Sequence, residues 1–324
     1  MVYSVPMKKI LVTGATGQIG SELVPRLRAR YGDENVVTLH HKKGNVTKEK
    51  NAEIADISVA EELRKVFQKY SIGTVYHLAG ILSATGEKDP SRAWDVNMAG
   101  LKNILDLSIA SKVEKVFWPS SIAAFGPDTQ KKMTPQDTVM HPSTIYGVAK
   151  VAGELLCNYY HSKYAVDVRS IRYPGLISYK AEPVAGTTDY ATAIFYEALR
   201  RNRYECYLRP STVLPMMYMD DAIRATLEIM DAPADRVKIR TSYNLASLSF
   251  SAEELAAAIA KRMPGFTCEY EPDFRQKIAD SWPESIDDSR ARTDWGWKPT
   301  FDLDALVDTM LAELSKKLNI PLTK

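Results

Sequence analysis

Short apolar runs alternate with amphipathic stretches along the first half of the chain. Each run has the length of a strand that is buried on both faces, and the stretches between the runs repeat their apolar positions with the period of a helix. The predicted strands lie at 9–13, 35–39, 52–54, 74–80, 115–119 and 167–172. The predicted helices lie at 21–31 and 59–70, from Pro90 to about 111, and from about 143 onward.

This alternation predicts an α/β protein with a Rossmann-type, doubly wound parallel sheet. After residue 175 the rhythm changes, because longer loops such as 179–188 appear and later elements follow at uneven intervals. Ligands of open α/β sheets bind outside the carboxyl ends of the strands. We therefore predict a sheet domain over 1–175, with later returns near 215–245, and a smaller, less regular C-terminal substrate-binding lobe over 176–324.

A glycine-rich turn follows the first predicted strand at once. Gly14, Gly17 and Gly20 enclose Gln18 and Ile19, and a predicted helix begins where the turn ends. Such a turn lets backbone N–H groups reach a pyrophosphate at the positive N-terminus of the helix. The order of strand, turn and helix therefore predicts that the sheet domain binds a dinucleotide.

Composition excludes several classes of function. A net charge of +2 and a pI near 8.2 leave no strong field for nucleic acid or an anionic membrane. Cys157, Cys206 and Cys268 are too scattered for a disulfide framework or a zinc site, and the five histidines do not cluster. No apolar run reaches the roughly 20 residues of a membrane span, and the N-terminus is too short and polar for a signal peptide. We therefore expect a cytoplasmic protein without a metal cofactor.

Tyr146 and Lys150 are four residues apart on a predicted helix, which places them on one face. A phenol has a pKa of about 10, and lowering that pKa by three units takes about 4 kcal/mol of differential stabilisation. A partly desolvated ammonium on Lys150 would supply much of it. Tyr159 and Lys163 share the same spacing, so spacing alone does not identify a catalytic pair.

The order of the motifs distinguishes Tyr146 from Tyr159. A glycine turn, an Asp-Ile pair, a small-residue turn and a serine follow successive predicted strands before the Tyr-x-x-x-Lys motif. This order resembles the extended short-chain dehydrogenase/reductase family over most of the chain. The resemblance implies that Tyr146 is the acid/base and that Lys150 lowers its pKa and holds the nicotinamide ribose. Ser121 would polarise the reacting oxygen and fits that position better than Ser120, although a cap or turn role is the alternative.

The same resemblance implies a nicotinamide cofactor and the residues that bind it. Besides the glycine turn, these residues are His40, Lys42, Asp56, Ile57, Leu78, Ala79, Gly80, Tyr146, Lys150 and Leu176. NAD-specific members usually carry an acidic residue where this chain has His40. His40 and Lys42 would suit a 2′-phosphate, or they belong to a solvated basic loop. We therefore predict NAD as the cofactor and keep NADP as the alternative.

Further stretches narrow the resemblance within the family. Residues 83–87, 172–178, 186–191 and 215–219, together with 281–283, 287–292 and 294–297, look like the short-chain type of L-threonine 3-dehydrogenase. This likeness implies oxidation of the β-hydroxyl of L-threonine to 2-amino-3-ketobutyrate, with hydride transfer to the nicotinamide. L-Threonine is a small zwitterion, so its site needs donors for a carboxylate and an acceptor for an ammonium.

The predicted substrate-binding residues are Ser83, Ser121, Tyr146, Gly186, Thr187, Thr188, Asp189 and Trp282. Ser83, Gly186 and Thr188 are candidates for the carboxylate, with Thr187 as a neighbour that is not excluded. Asp189 is a candidate for the ammonium or, alternatively, the cap of a helix that begins there. Trp282 would close over the substrate methyl, or else it fills an interface between the lobes.

Two other functions stay open. A nucleotide-sugar epimerase or dehydratase of the same family usually has an asparagine after the sixth strand, where this chain has Gly175. A non-catalytic dinucleotide-binding redox sensor usually lacks the tyrosine that this chain keeps. Subunits of this family commonly pair through the helices beside the fifth strand, so we also predict a homodimer. The apolar positions that fit this interface, or equally packing on the sheet, are Leu101, Ile104, Leu105, Leu155 and Leu156.

Overall fold

The computed structural model describes residues 8–41, 50–183 and 186–322. The strands are β1 (Lys9–Thr13), β2 (Val36–His40), β3 (Ala52–Ile54), β4 (Ile72–His77), β5 (Lys115–Ser121), β6 (Val168–Tyr173), β7 (Gly175–Ile177), β8 (Arg203–Cys206), β9 (Val213–Tyr218), β10 (Tyr243–Asn244), β11 (Leu248–Ser251) and β12 (Thr267–Tyr270). The helices are α1 (Gly20–Tyr31), α2 (Ala60–Lys69), α3 (Ser83–Gly86), α4 (Pro90–Trp94), α5 (Gly100–Ala110), α6 (Ile145–Tyr164), α7 (Tyr190–Arg201), α8 (Met219–Asp231), α9 (Ala252–Ala260), α10 (Phe274–Ala279), α11 (Ser289–Trp295) and α12 (Leu303–Leu318).

The large sheet has seven strands in the order β3-β2-β1-β4-β5-β6-β10. β1 pairs in parallel with both β2 and β4. The chain adds β2 and β3 on one side of β1 and then β4, β5 and β6 on the other, so β1 lies at the topological switch point of the sheet. All five residues of β2 are buried, as expected for a parallel strand covered by helices on both faces. The predicted Rossmann-type α/β fold is therefore confirmed, and the predicted strands differ from the observed ones by a few residues.

The chain forms two compact units. The first comprises the described residues of Met1–Ser120 together with Ala149–Ile171 and Ile229–Ser242. The second comprises the described residues of Ser121–Val148, Arg172–Glu228 and Tyr243–Lys324, and it contains a three-stranded sheet, β11-β9-β7, and a two-stranded sheet, β12-β8. The functional boundary predicted at residue 175 stays a prediction.

Each unit has its own apolar core. In the first unit, Leu11, Val75 and Trp118 pack with the inner faces of α2 and α5. In the second unit, α7, α9 and α12 pack together around residues such as Phe195 and Leu255. Three of the apolar positions considered for a dimer interface are fully buried in the first core, namely Leu101, Ile104 and Leu105. Their side chains therefore serve packing within one chain.

The predicted helix from Pro90 to about 111 is interrupted. A π-helical turn at Asp95–Ala99 separates α4 from α5. The wider turn gives Asn97 an orientation in which its side chain reaches Ile81, accepting from the backbone N–H at 2.8 Å and donating to the carbonyl at 3.0 Å. Sequence periodicity does not detect such a turn, because it depends on a contact with a distant segment. Among the described residues, no helix has the length and apolar character needed to cross a membrane.

Candidate functional site

The glycine turn after β1 is shaped by close backbone approaches. Gly14 has φ of +67°, and a Cβ there would lie 2.6 Å from the backbone nitrogen of Ala79. A Cβ on Gly20 would collide with the carbonyl oxygen of Gly14. The Gly17 N–H donates to that same oxygen at 3.0 Å, which closes the turn at the N-terminus of α1. The turn therefore has the shape that a pyrophosphate needs in order to reach backbone donors.

A buried polar pair fixes the neighbouring turn after β4. The Thr13 hydroxyl is 2.8 Å from His77 Nδ1 and accepts the Ala79 N–H at 3.2 Å. Desolvation, with a further contribution from the charge of Lys150, lowers the pKa of His77 to about 3, so the imidazole is neutral at physiological pH. Sequence analysis missed Thr13 and His77, and their only local signal is that both end strands of the sheet.

A cavity of about 370 Å³ lies beside these turns in the first unit. Predicted cofactor residues that line it are Gly14, His40, Asp56, Ile57, Ala79 and Gly80. Lining residues that the sequence did not indicate are Thr16, Leu39, His41, Ala55, Ile81, Arg92 and Val96. Apolar walls beside one carboxylate and a glycine turn fit the adenosine and pyrophosphate parts of a dinucleotide. This part of the chain has the residues to hold one.

The other predicted cofactor residues lie elsewhere. Gln18 and Ile19 lie within the glycine turn, and Leu78 follows β4, where its N–H donates to the Thr13 carbonyl at 3.2 Å. Leu176 is buried in β7 of the second unit. Lys42 lies outside the described residues, so its predicted contact stays a prediction.

Asp56 is held as a carboxylate at the edge of the cavity. Burial opposes its ionisation, but two hydrogen bonds from Ser58 and the charges of His41 and Arg92 outweigh burial and lower the pKa of Asp56. The Ser58 hydroxyl donates at 2.6 Å, and Arg92 Nη2 lies 3.6 Å from the other carboxylate oxygen. Asp56 is therefore a fixed acceptor.

His40 lies at the end of β2, where NAD-specific relatives usually have an acidic residue. Its side chain is buried, and Nε2 is 3.0 Å from the Thr38 hydroxyl. It also lines a second cavity, of about 310 Å³, together with Thr16, Ser21 and Arg28. A neutral or positive imidazole therefore replaces the usual carboxylate between the two cavities.

Ser121 and Tyr146 are hydrogen-bonded in the second unit. Tyr146 is half-buried at the start of α6, and desolvation raises the pKa of its phenol to about 12, although the bond to Ser121 opposes that rise. The pKa of Tyr146 thus lies above its ordinary value, opposite to the direction predicted from Lys150, because burial disfavours the phenolate. The Ser121 hydroxyl also accepts the Ala123 N–H at 3.2 Å, so it caps a short turn as well.

Lys150 lies in the first unit, four residues after Tyr146 on α6. Its ammonium donates to the Pro119 carbonyl at 2.5 Å and lies 4.5 Å from the centre of the Trp118 ring. Desolvation lowers the pKa of Lys150 to about 8. The lysine is therefore fixed against the end of β5 and changes its charge close to neutral pH.

The second Tyr-x-x-x-Lys pair behaves differently. Lys163 donates to the Tyr159 hydroxyl at 2.8 Å on the solvent-exposed face of α6. That hydrogen bond lowers the pKa of Tyr159. The same spacing to a lysine therefore accompanies a raised pKa for Tyr146, whose phenol is desolvated, and a lowered pKa for Tyr159, whose phenol is exposed to water.

The predicted substrate loop before α7 is organised by Asp189 and Tyr207. An Asp189 carboxylate oxygen accepts the Gly186 N–H at 2.8 Å, and the Tyr207 hydroxyl donates to the Gly186 carbonyl at 2.9 Å. Asp189 is thus the residue before α7 and bonds back to the loop. Thr187 is buried, and its hydroxyl has no hydrogen-bond partner within the described part of the chain. Thr188 packs its methyl side against Gly175.

Ser83 and Trp282 belong to different units. Ser83 is buried at the start of α3 in the first unit. Trp282 is buried in the apolar core of the second unit, and its carbonyl accepts the Lys131 ammonium at 3.1 Å. Over residues 8–41, 50–183 and 186–322, no group of three or more acidic, histidine or cysteine side chains has the arrangement of a metal site.

Known proteins resemble this chain over nearly its whole length. A sequence model described as the NAD dependent epimerase/dehydratase family matches residues 10–246. An uncharacterized epimerase/dehydratase of Staphylococcus haemolyticus is 46% identical over 315 residues, which cover 96% of this chain and 99% of that protein.

Solved structures give a similar result. The holo form of a GalE-like L-threonine dehydrogenase from Cupriavidus necator is 53% identical with a TM-score of 0.92, covering 94% of this chain and 99% of that one. The L-threonine dehydrogenase of Clostridium difficile is 48% identical with a TM-score of 0.93, covering 96% and 98%.

Proposed function

Because the chain belongs to the NAD dependent epimerase/dehydratase family of extended short-chain dehydrogenases/reductases, we propose that it oxidises the β-hydroxyl of L-threonine to 2-amino-3-ketobutyrate with NAD. The observation that carries the proposal is the hydrogen-bonded pair of Ser121 and Tyr146, with Lys150 one turn further along α6. The substrate is supported by the similarity to L-threonine dehydrogenases at about 50% identity.

Three residues of the chain have separate roles in removing the proton of the substrate hydroxyl. Tyr146 accepts the proton of the substrate hydroxyl, and Ser121 holds the same oxygen through its hydroxyl. Lys150 supplies a positive charge, which favours the phenolate form of Tyr146 against the desolvation that raises its pKa. A bound oxidised nicotinamide would supply the acceptor for the hydride that leaves the β-carbon.

The loop before α7 supplies groups that suit an amino acid. We propose that Gly186 and Thr188 of this loop bind the carboxylate, with Thr187 between them in the chain, and that Ser83 is a further ligand of the carboxylate. The buried Thr187 hydroxyl, which lacks a partner among the described residues, supports a polar ligand at this loop. Asp189 remains the proposed acceptor for the ammonium, and Trp282 the proposed apolar cover.

Packing around Gly175 disfavours a nucleotide-sugar substrate. A Cβ at this position would collide with Met216 Sδ and lie 2.9 Å from Thr188 Cβ. An asparagine that contacts a sugar nucleotide therefore has no room here without displacing β9 or the substrate loop. This packing supports the amino-acid substrate over the epimerase alternative.

We propose a homodimer that uses the outer face of α6. Leu155 is 59% exposed and Leu156 is partly exposed, whereas the other three candidate positions are buried within the chain. An exposed leucine on a helix beside the fifth strand is consistent with a partner subunit at that face.

His40→Glu should shift cofactor preference toward NAD. A carboxylate at the end of β2 accepts a ribose 2′-hydroxyl and repels a 2′-phosphate. We expect the ratio of kcat/KM for NAD⁺ to that for NADP⁺ to rise about tenfold or more, equivalent to about 1.4 kcal/mol. Steady-state kinetics with both cofactors measure the ratio, and His141→Glu adds the same charge at an exposed position as the control. An unchanged ratio in His40→Glu would show that this position does not select the cofactor.

The proposed function is tested by absorbance at 340 nm. Purified protein with NAD⁺ and L-threonine should produce reduced cofactor in proportion to substrate consumed. UDP-glucose in place of L-threonine should produce none. Steady reduction with the sugar nucleotide, or none with L-threonine and either cofactor, would overturn the assignment.

A further inference from the structure

We propose that Glu154, anchored by Ser120, is a positioning residue that keeps Lys150 in place and in its ammonium form. The inference rests on the proposed function, because it concerns the lysine that supports Tyr146. It gives a role to the first serine of the Ser120-Ser121 pair, which the family resemblance leaves without one.

Glu154 is a carboxylate with no exposure to solvent. It lies in the middle of α6, and its Oε1 accepts the Ser120 hydroxyl at 2.6 Å. Ser120 is itself buried near the end of β5. Burying a carboxylate is strongly unfavourable unless hydrogen bonds and a nearby positive charge compensate. The Ser120 hydroxyl supplies the hydrogen bond, and Lys150 precedes Glu154 by one turn of α6, close enough for the two charges to interact.

Two consecutive residues of β5 connect to two consecutive turns of α6. The Pro119 carbonyl accepts the Lys150 ammonium at 2.5 Å, and the next residue, Ser120, donates to Glu154. These bonds fix the helix against the strand at both turns. Ser120 bonds Glu154 and the next residue, Ser121, bonds Tyr146, so the two serines contact α6 at two different turns.

The groups that β4 and β5 place near Lys150 are uncharged, unlike Glu154. From β5 the lysine meets the Trp118 ring and the Pro119 carbonyl, both uncharged. On β4, desolvation and the charge of Lys150 lower the pKa of His77 to about 3, so this group is neutral. These neighbours provide no negative charge to offset the desolvation of the ammonium.

The helix itself contributes two titratable groups to Lys150. Desolvation lowers the pKa of Lys150 to about 8, while Cys157 and Glu154 both act to raise it. Burial raises the pKa of the Cys157 thiol, so that thiol is protonated and uncharged at neutral pH. The carboxylate of Glu154 is therefore the group on α6 whose charge opposes the desolvation.

Removing this charge should move the titration of Lys150 in a defined direction. A carboxylate stabilises the charged form of a nearby lysine, so its loss lowers the lysine pKa further. Oxidation requires the ammonium, so kcat/KM should fall on the alkaline side as Lys150 loses its proton. In the wild type we expect this fall above about pH 8, as the pKa of Lys150 indicates.

The test is Glu154→Gln, which keeps an acceptor for Ser120 and removes the charge. We expect the alkaline fall in kcat/KM to begin about one pH unit lower, so that activity at pH 8 drops about fivefold while activity at pH 6.5 changes little. Glu154→Asp, which retains the charge, should restore most of the profile. Glu61→Gln, on the exposed face of α2, is the matched control and should leave the profile unchanged.

A purely structural role gives a different result. In that case kcat/KM falls by the same factor at every pH and the alkaline limb does not move, which would overturn the inference. A second readout does not depend on activity. With lysine labelled at the ε-carbon, NMR should show the Lys150 signal titrating at lower pH in Glu154→Gln, the signal being identified by its loss in Lys150→Met.

The NMR readout tests the role of Glu154 separately from the proposed oxidation of L-threonine. Failure to oxidise L-threonine, with the Lys150 shift still present, would reject the proposed substrate and keep the role of Glu154. If Glu154→Gln does not fold, Ser120→Ala takes its place: the carboxylate is kept but loses the hydrogen bond that fixes it, so the Lys150 signal should shift in the same direction by a smaller amount. An unshifted Lys150 signal in a folded variant would reject the role of Glu154.

Discussion

Replacement of Tyr146 by phenylalanine is expected to abolish oxidation of L-threonine while leaving NAD binding nearly intact. The variant lacks the hydroxyl that accepts the substrate proton and that bonds to Ser121. General-base catalysis contributes roughly 10²–10⁴-fold, so kcat should fall by at least two orders of magnitude. The ring itself packs against the second core and is retained, so the fold should be unaffected.

The chain contains a matched control for that substitution. Tyr159→Phe removes a hydroxyl from the same Tyr-x-x-x-Lys spacing on the same helix, at an exposed position. Steady-state kinetics of both variants and titration of NAD binding by fluorescence measure the two effects. Tyr146→Phe with turnover close to that of Tyr159→Phe would remove Tyr146 from the mechanism.

Gly14→Ala is expected to weaken cofactor binding by at least two orders of magnitude. An alanine at φ of +67° costs about 1–2 kcal/mol in backbone strain alone. Its Cβ would also lie 2.6 Å from the Ala79 nitrogen, so the two turns that border the dinucleotide cavity must separate. Isothermal titration with NAD⁺ measures the loss of affinity.

Gly296→Ala is a control that introduces the backbone strain of an alanine at positive φ without displacing the glycine turn of the dinucleotide site. Gly296 has φ of +85°, and a Cβ there would meet no atom within 4 Å. This control should lower the free energy of unfolding by about 1–2 kcal/mol and leave the Kd for NAD⁺ unchanged. Equal affinities in the two variants would mean that the glycine turn does not form the pyrophosphate site.

The parts of the fold that local patterns determine were predictable from sequence. β1 was predicted at its observed bounds, and the glycine turn followed directly, because both depend on residues adjacent in the chain. The helix predicted from Pro90 was wrong in its middle. The π-helical turn there is stabilised by Asn97 bonding to Ile81, a partner that periodicity does not identify.

Parts of the site depend on distant contacts and burial, which a sequence does not encode locally. Thr13 and His77 meet only because β1 and β4 are neighbours in the sheet. The link from Ser120 to Glu154 likewise joins a strand to a helix across 34 positions of the chain. The pKa of Tyr146 rises rather than falls, since its desolvation follows from packing and not from the spacing to Lys150.

Substrate identity is a different kind of inference. The proposed roles of Asp189 and Trp282 come from likeness to a subfamily, and their observed contacts are a loop hydrogen bond and core packing. These contacts position the loop and the core but do not specify a ligand. The choice of L-threonine therefore depends on a direct chemical test.

That test follows the hydrogen that is transferred. L-Threonine carrying deuterium on its β-carbon is mixed with NAD⁺ and the protein, and the reduced cofactor is analysed by NMR. We predict deuterium at the C4 position of the nicotinamide and a ketone in place of the threonine hydroxyl. Unlabelled reduced cofactor, or no reduced cofactor with either NAD⁺ or NADP⁺, would contradict the proposed oxidation.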